Sequence, residues 1–202
     1  MSEPKAVVFD VGRVMFQWQL RSLFEKLIDD SAELSWFLEN VVTEEWHFQH
    51  DRGVPLAKML PARMHEFPDQ ALRIAAYAAR FNETVAGPVP GTLDLVRELH
   101  GAGVPLFCLT NFGDEFFAQF RAAQPIFDLF KDIIVSGEEL VAKPDPQIYQ
   151  IVEQRSGYMR SELFFTDDNA ANVDAACKRG WHGHLFENAE GLREELTDLG
   201  LL

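Results

Sequence analysis

Cysteine is scarce in this chain of 202 residues, which holds only Cys108 and Cys177 and no C-x-x-C pair. Both cysteines lie in apolar segments, so we expect buried free thiols in a reducing compartment rather than a disulfide scaffold. Met1–Lys5 lack the basic stretch and the following apolar run of a signal peptide. Together these features predict a cytoplasmic protein.

Long hydrophobic runs and positive charge are also lacking. The longest apolar runs have fewer than ten residues, well below the roughly 20 that a membrane-spanning helix requires. Only 18 lysine and arginine residues face 32 aspartate and glutamate residues, which leaves a net charge of −14. Because so acidic a surface repels nucleic-acid phosphates and anionic lipids, we expect neither nucleic acid nor a membrane as a partner.

Several motifs of other enzyme classes are missing. There is no G-x-x-x-x-G-K phosphate loop and no G-x-G-x-x-G after the first apolar run, so nucleotide-dependent transfer is not indicated. A nucleophile elbow of Ser-His-Asp hydrolases is also lacking. The composition, with 47% hydrophobic and 25% charged residues, is that of an ordinary globular chain.

What the chain does contain is an alternation of strand and helix patterns. Helical patterns that end at glycine cover Thr92–His100, Pro146–Arg155 and Asn169–Arg179. Four of the five strand-like segments are continuously apolar, as in parallel strands buried on both faces. This alternation predicts an α/β fold with a Rossmann-like, doubly wound parallel sheet. The strand-like segments are Ala6–Phe9, Pro105–Leu109, Ile133–Val135, Leu163–Phe165 and His182–Phe186.

One long region interrupts the alternation. Between Trp18 and Phe81 the chain is rich in helix formers and aromatic residues and shows no convincing strand. The stretch Ala86–Gly91, with two glycines and two prolines, is typical of a linker that returns to the sheet. We therefore predict a core domain of residues 1–17 and 85–202, and an inserted helical cap domain of residues 18–84.

Polar residues follow the four clearest strands. In an open parallel sheet the carboxyl ends of the strands meet in one crevice, so these residues should converge there. Taken singly, each could end a strand or cap a helix. Taken together, three carboxylates in one crevice require a cation, and hard oxygen ligands favour Mg²⁺ over Zn²⁺. The residues are Asp10, Thr110, Asn111, Ser136, Asp167 and Asp168.

Four of these segments, in their order along the chain, resemble the motifs of the haloacid dehalogenase superfamily. They are Phe9-Asp10-Val11-Gly12, Leu109-Thr110-Asn111, Lys143-Pro144, and Asp167-Asp168 with Asn172 beyond them. The resemblance covers the whole chain, because members of one subclass carry a helical cap after the first strand. Residues 46–53, Trp46 to Gly53, are also similar to a stretch of bacterial sugar-phosphate phosphatases in this superfamily.

The resemblance implies Mg²⁺-dependent hydrolysis of a small phosphomonoester, such as a sugar phosphate. Asp10 would attack phosphorus and form an aspartyl-phosphate. Thr110 and the backbone N–H of Asn111 would hold the phosphoryl oxygens, and Lys143 would act as a point charge on them. Further residues are implied for the metal and the acidic loop: Asp10, the carbonyl of Gly12 and Asp168 as ligands, Asp167 in support or through water, and Asn172 as the residue that orients the loop.

Gly12 departs from the pattern of the phosphatases, which carry an aspartate at this position to protonate the leaving group and to activate water. A positioned general acid or base contributes about 10²–10⁴ in rate. Three interpretations stay open: His47 or His50 of the cap replaces it, the reaction relies on water or a good leaving group, or the chain is a non-catalytic phosphometabolite-binding protein.

Haloacid dehalogenases, which displace halide from carbon without a metal, lack the same aspartate and form the rival hypothesis. Their fourth motif lacks paired acidic residues, and Asp167-Asp168 would be costly charge in a metal-free site. For substrate contacts we consider His47 and His50, which share a helical face if the segment is helical, and Arg13, which reaches either the substrate or a cap acid. We expect a small phosphorylated metabolite as the partner and a monomer or homodimer.

Overall fold

The computed structural model describes residues 3–202, which form one sheet of five strands and one ribbon of two. The strands are β1 (Ala6–Phe9), β2 (Phe16–Trp18), β3 (Val85–Pro88), β4 (Leu106–Thr110), β5 (Asp132–Val135), β6 (Leu163–Asp167) and β7 (His182–Leu185). The large sheet has the order β5-β4-β1-β6-β7, and all its neighbours are parallel. This confirms the predicted α/β fold.

Helices precede or follow most strands and cover both faces of the large sheet. The α-helices are α1 (Arg21–Phe24), α2 (Ser31–Asn40), α3 (Glu44–Asp51), α4 (Leu56–Glu66), α5 (Ala71–Ala79), α6 (Thr92–Gly101), α7 (Asp114–Ala122), α8 (Ser136–Glu139), α9 (Pro146–Ser156), α10 (Ala170–Lys178) and α11 (Ala189–Asp198). Short 3₁₀ helices cover Pro68–Gln70, Phe81–Thr84, Pro125–Leu129 and Arg160–Glu162. Among residues 3–202, none of the helices combines the length and the apolar character that crossing a bilayer requires.

The centre of the sheet is apolar on both faces. Strand β1 pairs with β4 on one side and with β6 on the other, and every residue of the three strands is buried. Successive side chains of a strand point to opposite faces, so Val7 and Phe9 join one hydrophobic cluster while Ala6 and Val8 join another. This two-sided burial explains why the strand segments are continuously apolar.

The ribbon of β2 and β3 was not expected from the sequence. Phe16 pairs with Pro88 and Trp18 with Val85 in antiparallel register, so the stretch Ala86–Gly91 is partly a strand rather than only a linker. Strands of three and four residues are too short to show the period of two on which strand prediction relies. The ribbon lies at the predicted boundary between the domains; the division itself stays a prediction.

Helices α1 to α5 form the segment between β2 and β3, as the leucine and aromatic pattern indicated. Leu23, Phe24, Phe37 and Tyr77 are completely buried. Their cluster continues without interruption into β1 and α7 of the core. The helical segment is therefore packed onto the sheet domain through a shared apolar interior.

The sequence predicts the bounds of a helix well where capping residues mark its ends. Helix α9 begins with Pro146 after the Asp145 cap and ends at Gly157, whose φ of 73° is a left-handed conformation that favours glycine. Cys108 is buried in β4 as expected, but the prediction for Cys177 is wrong, because this free cysteine is exposed on α10. Its neighbour Ala176 occupies the buried position of that helical turn.

Candidate active site

A cavity of about 460 Å³ lies beyond the carboxyl ends of β1, β4 and β6. This is where an open parallel sheet binds ligands. The core and the helical segment both contribute walls. Of the residues proposed for the site from the sequence, eight line the cavity: Asp10, Gly12, Arg13, His47, Asn111, Lys143, Asp168 and Asn172.

Lys143 occupies the centre of the buried charges. Its ammonium group lies 2.7 Å from Asp10 Oδ1 and 2.6 Å from Asp167 Oδ2, and it donates a third hydrogen bond of 2.8 Å to the carbonyl of Leu109. The side chain is only 1% exposed. All three donors of the ammonium are therefore used, and two carboxylates share one cation.

Burial and these ion pairs determine the protonation states of Asp10 and Lys143. Burial raises the pKa of Asp10 to about 7, even though the charge of Lys143 opposes the shift. For Lys143, burial alone would lower the pKa, but the attraction of Asp10 and Asp167 raises it above its ordinary value. Lys143 thus stays a cation, and a further positive charge near Asp10 would favour its ionised form.

Asp167 is held by protein donors on both carboxylate oxygens. The amide of Asn172 donates to Oδ1 and Oδ2 at 3.0 and 3.1 Å, and the backbone N–H of Asn169 donates to Oδ1 at 2.8 Å. With Lys143 on Oδ2, the carboxylate has no lone-pair direction to spare for close metal contact. Its observed surroundings suit a supporting position.

The donor set fits a divalent cation with oxygen ligands. Oxygens of Asp10 and Asp168 lie within 4.8 Å of each other and of an oxygen of Asp167, which is left in the supporting position. Asp168 is half-buried, and burial and the charge of Asp167 raise its pKa. Carboxylate oxygens without cysteine or histidine are typical of Mg²⁺ sites.

Asn111 and Lys143 are tied together through their backbones. The Asn111 side chain donates to the carbonyl of Lys143 at 3.0 Å and accepts from its N–H at 2.8 Å. This reciprocal pair fixes the loop that carries the lysine. Thr110 is not on the cavity wall, because its side chain is buried at the end of β4; a direct phosphate contact from this residue stays a prediction.

Arg13 reaches an acid of the helical segment, the second of the two expected arrangements. Its side chain forms an ion pair with Glu44, the first residue of α3, and its guanidinium lies 5.0 Å from the ring centroid of Trp18. The backbone of Arg13 has φ 60°, a conformation that is uncommon for a residue with a side chain. The residue therefore lies in the cavity wall beside the helical segment.

The two histidines of α3, which were considered for substrate contacts, have different surroundings. His47 borders the cavity, but its ring is stacked between Trp18 and Phe81, and its Nδ1 lies 2.6 Å from the Tyr77 hydroxyl. Burial, with help from the charges of His50 and Arg13, lowers the pKa of His47 to about 3. The ring is therefore neutral at pH 7 and lacks the imidazolium proton that a histidine general acid supplies.

His50 is not on the cavity wall, so the expected substrate contact is not formed. Its ring is completely buried, packs edge-on against Phe116, and is held through Nδ1 at 2.9 Å from the carbonyl of Val54. A methyl group at Gly113 would lie 2.0 Å from this ring. His50 faces the core because α3 is buried along the side that carries it.

Asp51 is the site residue that sequence reasoning missed. It lines the cavity, is 5% exposed, and one of its carboxyl oxygens, Oδ1, has no hydrogen-bond partner among residues 3–202. Asp51 was not among the residues proposed for the site from the sequence. An available signal was its place in the Trp46–Gly53 stretch, since a carboxylate four residues after His47 shares its helical face.

Comparisons with known proteins identify the family of the chain. The family model of the haloacid dehalogenase-like hydrolases matches residues 4–178. A sesquiterpene phosphatase of Aspergillus oryzae is 32% identical over 189 residues, which cover 91% of this chain and 91% of that protein. A (S)-2-haloacid dehalogenase of Pseudomonas putida is 28% identical over 109 residues, or 54% of this chain and 48% of that protein.

A solved structure shows the same architecture. The enzyme of this family from Bacteroides thetaiotaomicron, in complex with magnesium and inorganic phosphate, superposes with a TM-score of 0.71 at 22% identity. The alignment covers 92% of this chain and 95% of that one. At this identity the likeness establishes the shared fold. With the family match over most of the chain, it follows that the protein belongs to the haloacid dehalogenase-like hydrolases, as its motif order predicted.

Proposed function

We propose that this hydrolase is a Mg²⁺-dependent phosphatase that cleaves a phosphomonoester through an aspartyl-phosphate on Asp10. The observation that carries the proposal is the placement of Lys143 between Asp10 and Asp167, with Asp168 close by. Phosphoryl transfer depends on positioned positive charge more than on elaborate covalent chemistry. Lys143 supplies one such charge, and the carboxylates would bind a divalent cation that supplies more.

Each residue of the site has a role in this proposal that follows from its position. The free oxygen of Asp10 attacks phosphorus, while Lys143 neutralises charge on Asp10 and on the phosphoryl oxygens. Asp10, the carbonyl of Gly12 and Asp168 would hold Mg²⁺, which supplies charge neutralisation when bound. Asn111 keeps the lysine loop in place, and Asn172 fixes Asp167.

Relatives support the phosphatase interpretation. The relative that aligns over nine-tenths of both chains is named a sesquiterpene phosphatase, and the Bacteroides thetaiotaomicron enzyme of the same fold binds magnesium and phosphate. A shared fold does not by itself establish an activity. The proposal therefore rests on the site, to which these relatives add support.

For the alcohol part of the substrate, we favour one with apolar surface. Trp18, Phe48, Phe81 and Phe112 line the cavity that Asp10 and Lys143 border. Aromatic walls bind apolar groups by removing them from water. A sugar phosphate, expected from the sequence, would be held instead by the polar Arg13–Glu44 side of the cavity, so the two substrate classes form the two arms of the test.

The experiment is phosphate release from a panel of terpenyl, aryl and sugar phosphomonoesters, with Mg²⁺ or with EDTA. Wild type is compared with Asp10→Asn and with Asp69→Asn, which removes one exposed charge from the helical segment. We expect release that requires both Mg²⁺ and Asp10 and is unchanged in Asp69→Asn. Absence of release from every substrate would reject the phosphatase.

The dehalogenase is the second candidate, favoured by Gly12, where the phosphatase aspartate is missing, and by the relative from Pseudomonas putida. Against it, a metal-free reaction leaves Asp168 as half-buried charge without a role. Halide release from a 2-haloacid in EDTA would support it. Ligand-dependent thermal stabilisation without release of any product would instead identify a binding protein.

A further inference from the structure

Gly12 occupies the place where a phosphatase of this family would carry its proton donor, and the structure shows that glycine is not required there. Its φ lies outside the left-handed region, and a Cβ at this position would meet only Cβ of Trp18, at 4.0 Å. The backbone would accept a side chain, so its absence leaves space in the cavity. A group from elsewhere can therefore face the reacting oxygen.

The two histidines that the sequence put forward do not suit this task. Both ring nitrogens of His47 have neighbours, Tyr77 Oη at 2.6 Å and Asp51 Oδ2 at 3.3 Å. His50 is completely buried away from the cavity. Neither ring presents a free nitrogen to a substrate beside Asp10.

Asp51 is the buried acidic residue of α3 on the cavity wall. It lines the same cavity as Asp10 and Gly12, and its Oδ1 is buried without a hydrogen-bond partner in the described part of the chain. Buried polar atoms are nearly always satisfied, so an orphaned one at a cavity wall marks a place for a ligand group. Its Oδ2 lies 3.3 Å from Nε2 of the neutral His47 ring.

The core holds Asp51 in position although the residue belongs to helix α3. The Ser136 hydroxyl donates to the Asp51 carbonyl at 2.5 Å and accepts the N–H of Phe112 at 2.9 Å. These contacts join the end of α3 to the loop after β4, which also carries Asn111.

We propose that Asp51 is the general acid and base of this hydrolase and replaces the side chain missing at Gly12. The inference rests on the proposed phosphatase activity. When the Asp10 carboxylate attacks phosphorus, the bond from phosphorus to the alcohol oxygen breaks, and that oxygen keeps the electron pair. The Asp51 carboxyl group gives its proton to this oxygen, so the alcohol leaves neutral and Asp51 becomes a carboxylate.

The second half of the reaction reverses the role of Asp51. The carboxylate takes a proton from a water molecule whose oxygen attacks the phosphorus of the aspartyl-phosphate. The bond from phosphorus to Asp10 breaks, the Asp10 carboxylate is restored, and inorganic phosphate is released. Asp51 ends the cycle protonated, as it began.

The electrostatics of Asp51 agree with this cycle. Burial raises the pKa of Asp51 to about 8, and the charge of Asp10 adds to the shift, while the Gly113 N–H and Lys143 oppose it. The other titratable groups that face it, His47 and Tyr77, are neutral at pH 7. The carboxyl group therefore holds a proton at neutral pH, as an acid requires.

The test compares leaving groups. In the Mg²⁺-loaded enzyme, Asp51→Asn should lower kcat for the best alkyl phosphomonoester of the panel by about 10²–10⁴. For para-nitrophenyl phosphate, whose leaving group needs no proton, the first chemical step, measured as the nitrophenol burst, should fall less than tenfold. Asp69→Asn is the matched control, and thermal melting of both variants verifies folding.

A rescue experiment distinguishes a lost proton transfer from a folding defect in Asp51→Asn. Gly12→Asp placed in the Asp51→Asn background should restore part of the alkyl phosphatase rate, which repair of a folding defect would not explain. Equal losses on both substrates without rescue would overturn the role of Asp51, as would full alkyl activity in Asp51→Asn. If wild type releases no phosphate at all, the proposed function fails first; if wild type is active, either of these results rejects only the inference.

Discussion

The hydroxyl of Ser136 donates a hydrogen bond of 2.5 Å to the carbonyl of Asp51, across 85 positions of the chain. Ser136 follows β5, and the sequence had placed it among the polar residues at the strand ends. It does lie at that edge of the sheet, yet it is completely buried and its partner is the helical segment. A residue at a strand end can thus shape a site by holding another element.

Loss of this contact should weaken both stability and catalysis. Ser136→Ala leaves the Asp51 carbonyl and the Phe112 N–H without their side-chain partner, and each such loss in a buried place amounts to about 1–3 kcal/mol. We expect a lower melting temperature and a lower kcat, with Ser31→Ala, an exposed serine of α2, as the control. Equal melting of the two variants would contradict the anchoring.

Removal of the central cation should be more severe. Lys143→Met leaves Asp10 and Asp167 as buried carboxylates without compensation, a change that destabilises proteins by about 3–5 kcal/mol. Phosphatase activity should be lost as well. Lys178→Met, which removes an exposed lysine of α10, should leave urea unfolding and activity near wild type. A Lys143→Met protein as stable as this control would show that the buried pairs contribute little.

The protonated state of Asp51 has a consequence for stability against pH. Its pKa rises from 3.8 to about 8 on folding. Both states are protonated below pH 4, but between pH 4 and pH 8 the folded protein keeps a proton that the unfolded chain releases. Stability therefore falls as pH rises through this window.

Asp51→Asn removes this pH-dependent loss. In EDTA, the variant should gain stability relative to wild type from pH 4 to pH 8: its free energy of unfolding minus that of wild type should increase, by at most about 5 kcal/mol. Urea unfolding at several pH values measures the difference. Parallel curves for the two proteins would mean that Asp51 ionises normally in the folded state.

Mg²⁺ alone should stabilise the protein if the carboxylates bind it. Mass action predicts a gain of about 2.7 kcal/mol at a concentration 100 times the dissociation constant, seen as a rise in melting temperature. Asp168→Asn should abolish most of the rise, whereas Asp174→Asn, an exposed change on α10, should keep it. A rise that survives in Asp168→Asn would place the cation elsewhere.

The contact between Gly113 and the His50 ring should not tolerate a methyl group. Gly113→Ala would put Cβ 2.0 Å from that buried ring, and such overpacking usually destabilises by about 1–3 kcal/mol. Gly101→Ala is the matched control, because a Cβ at Gly101 meets no atom within 4 Å. Thermal melting should separate the two alanine variants clearly.

The sequence predicted the sheet well because its strands are buried on both faces. Ala6–Phe9 was placed with its observed bounds, and Asp10, Asn111 and Asp168 converge because parallel strands bring their carboxyl ends together. The reciprocal bonds between Asn111 and Lys143 were not foreseen. They depend on loop geometry that no periodicity encodes.

The helical segment was harder to predict in detail. Its helices follow from leucine spacing, but which face of α3 meets the core depends on packing against Gly113 and Ser136, far away in the sequence. The polar pattern of α3 is typical of a solvent-facing helix, so the burial of His50 and Asp51 was not predicted. Their burial is a tertiary effect.

Helix α3 is attached to the sheet domain at both ends. At its start Glu44 pairs with Arg13, which follows Asp10 by three positions, and at its end the Ser136 hydroxyl holds the Asp51 carbonyl. Contacts at both ends hold the helix in a fixed position relative to the sheet. The position of Asp51 relative to Asp10 is therefore set by contacts of α3 with residues of the sheet and its loops, and not by the packing of α4 and α5 alone.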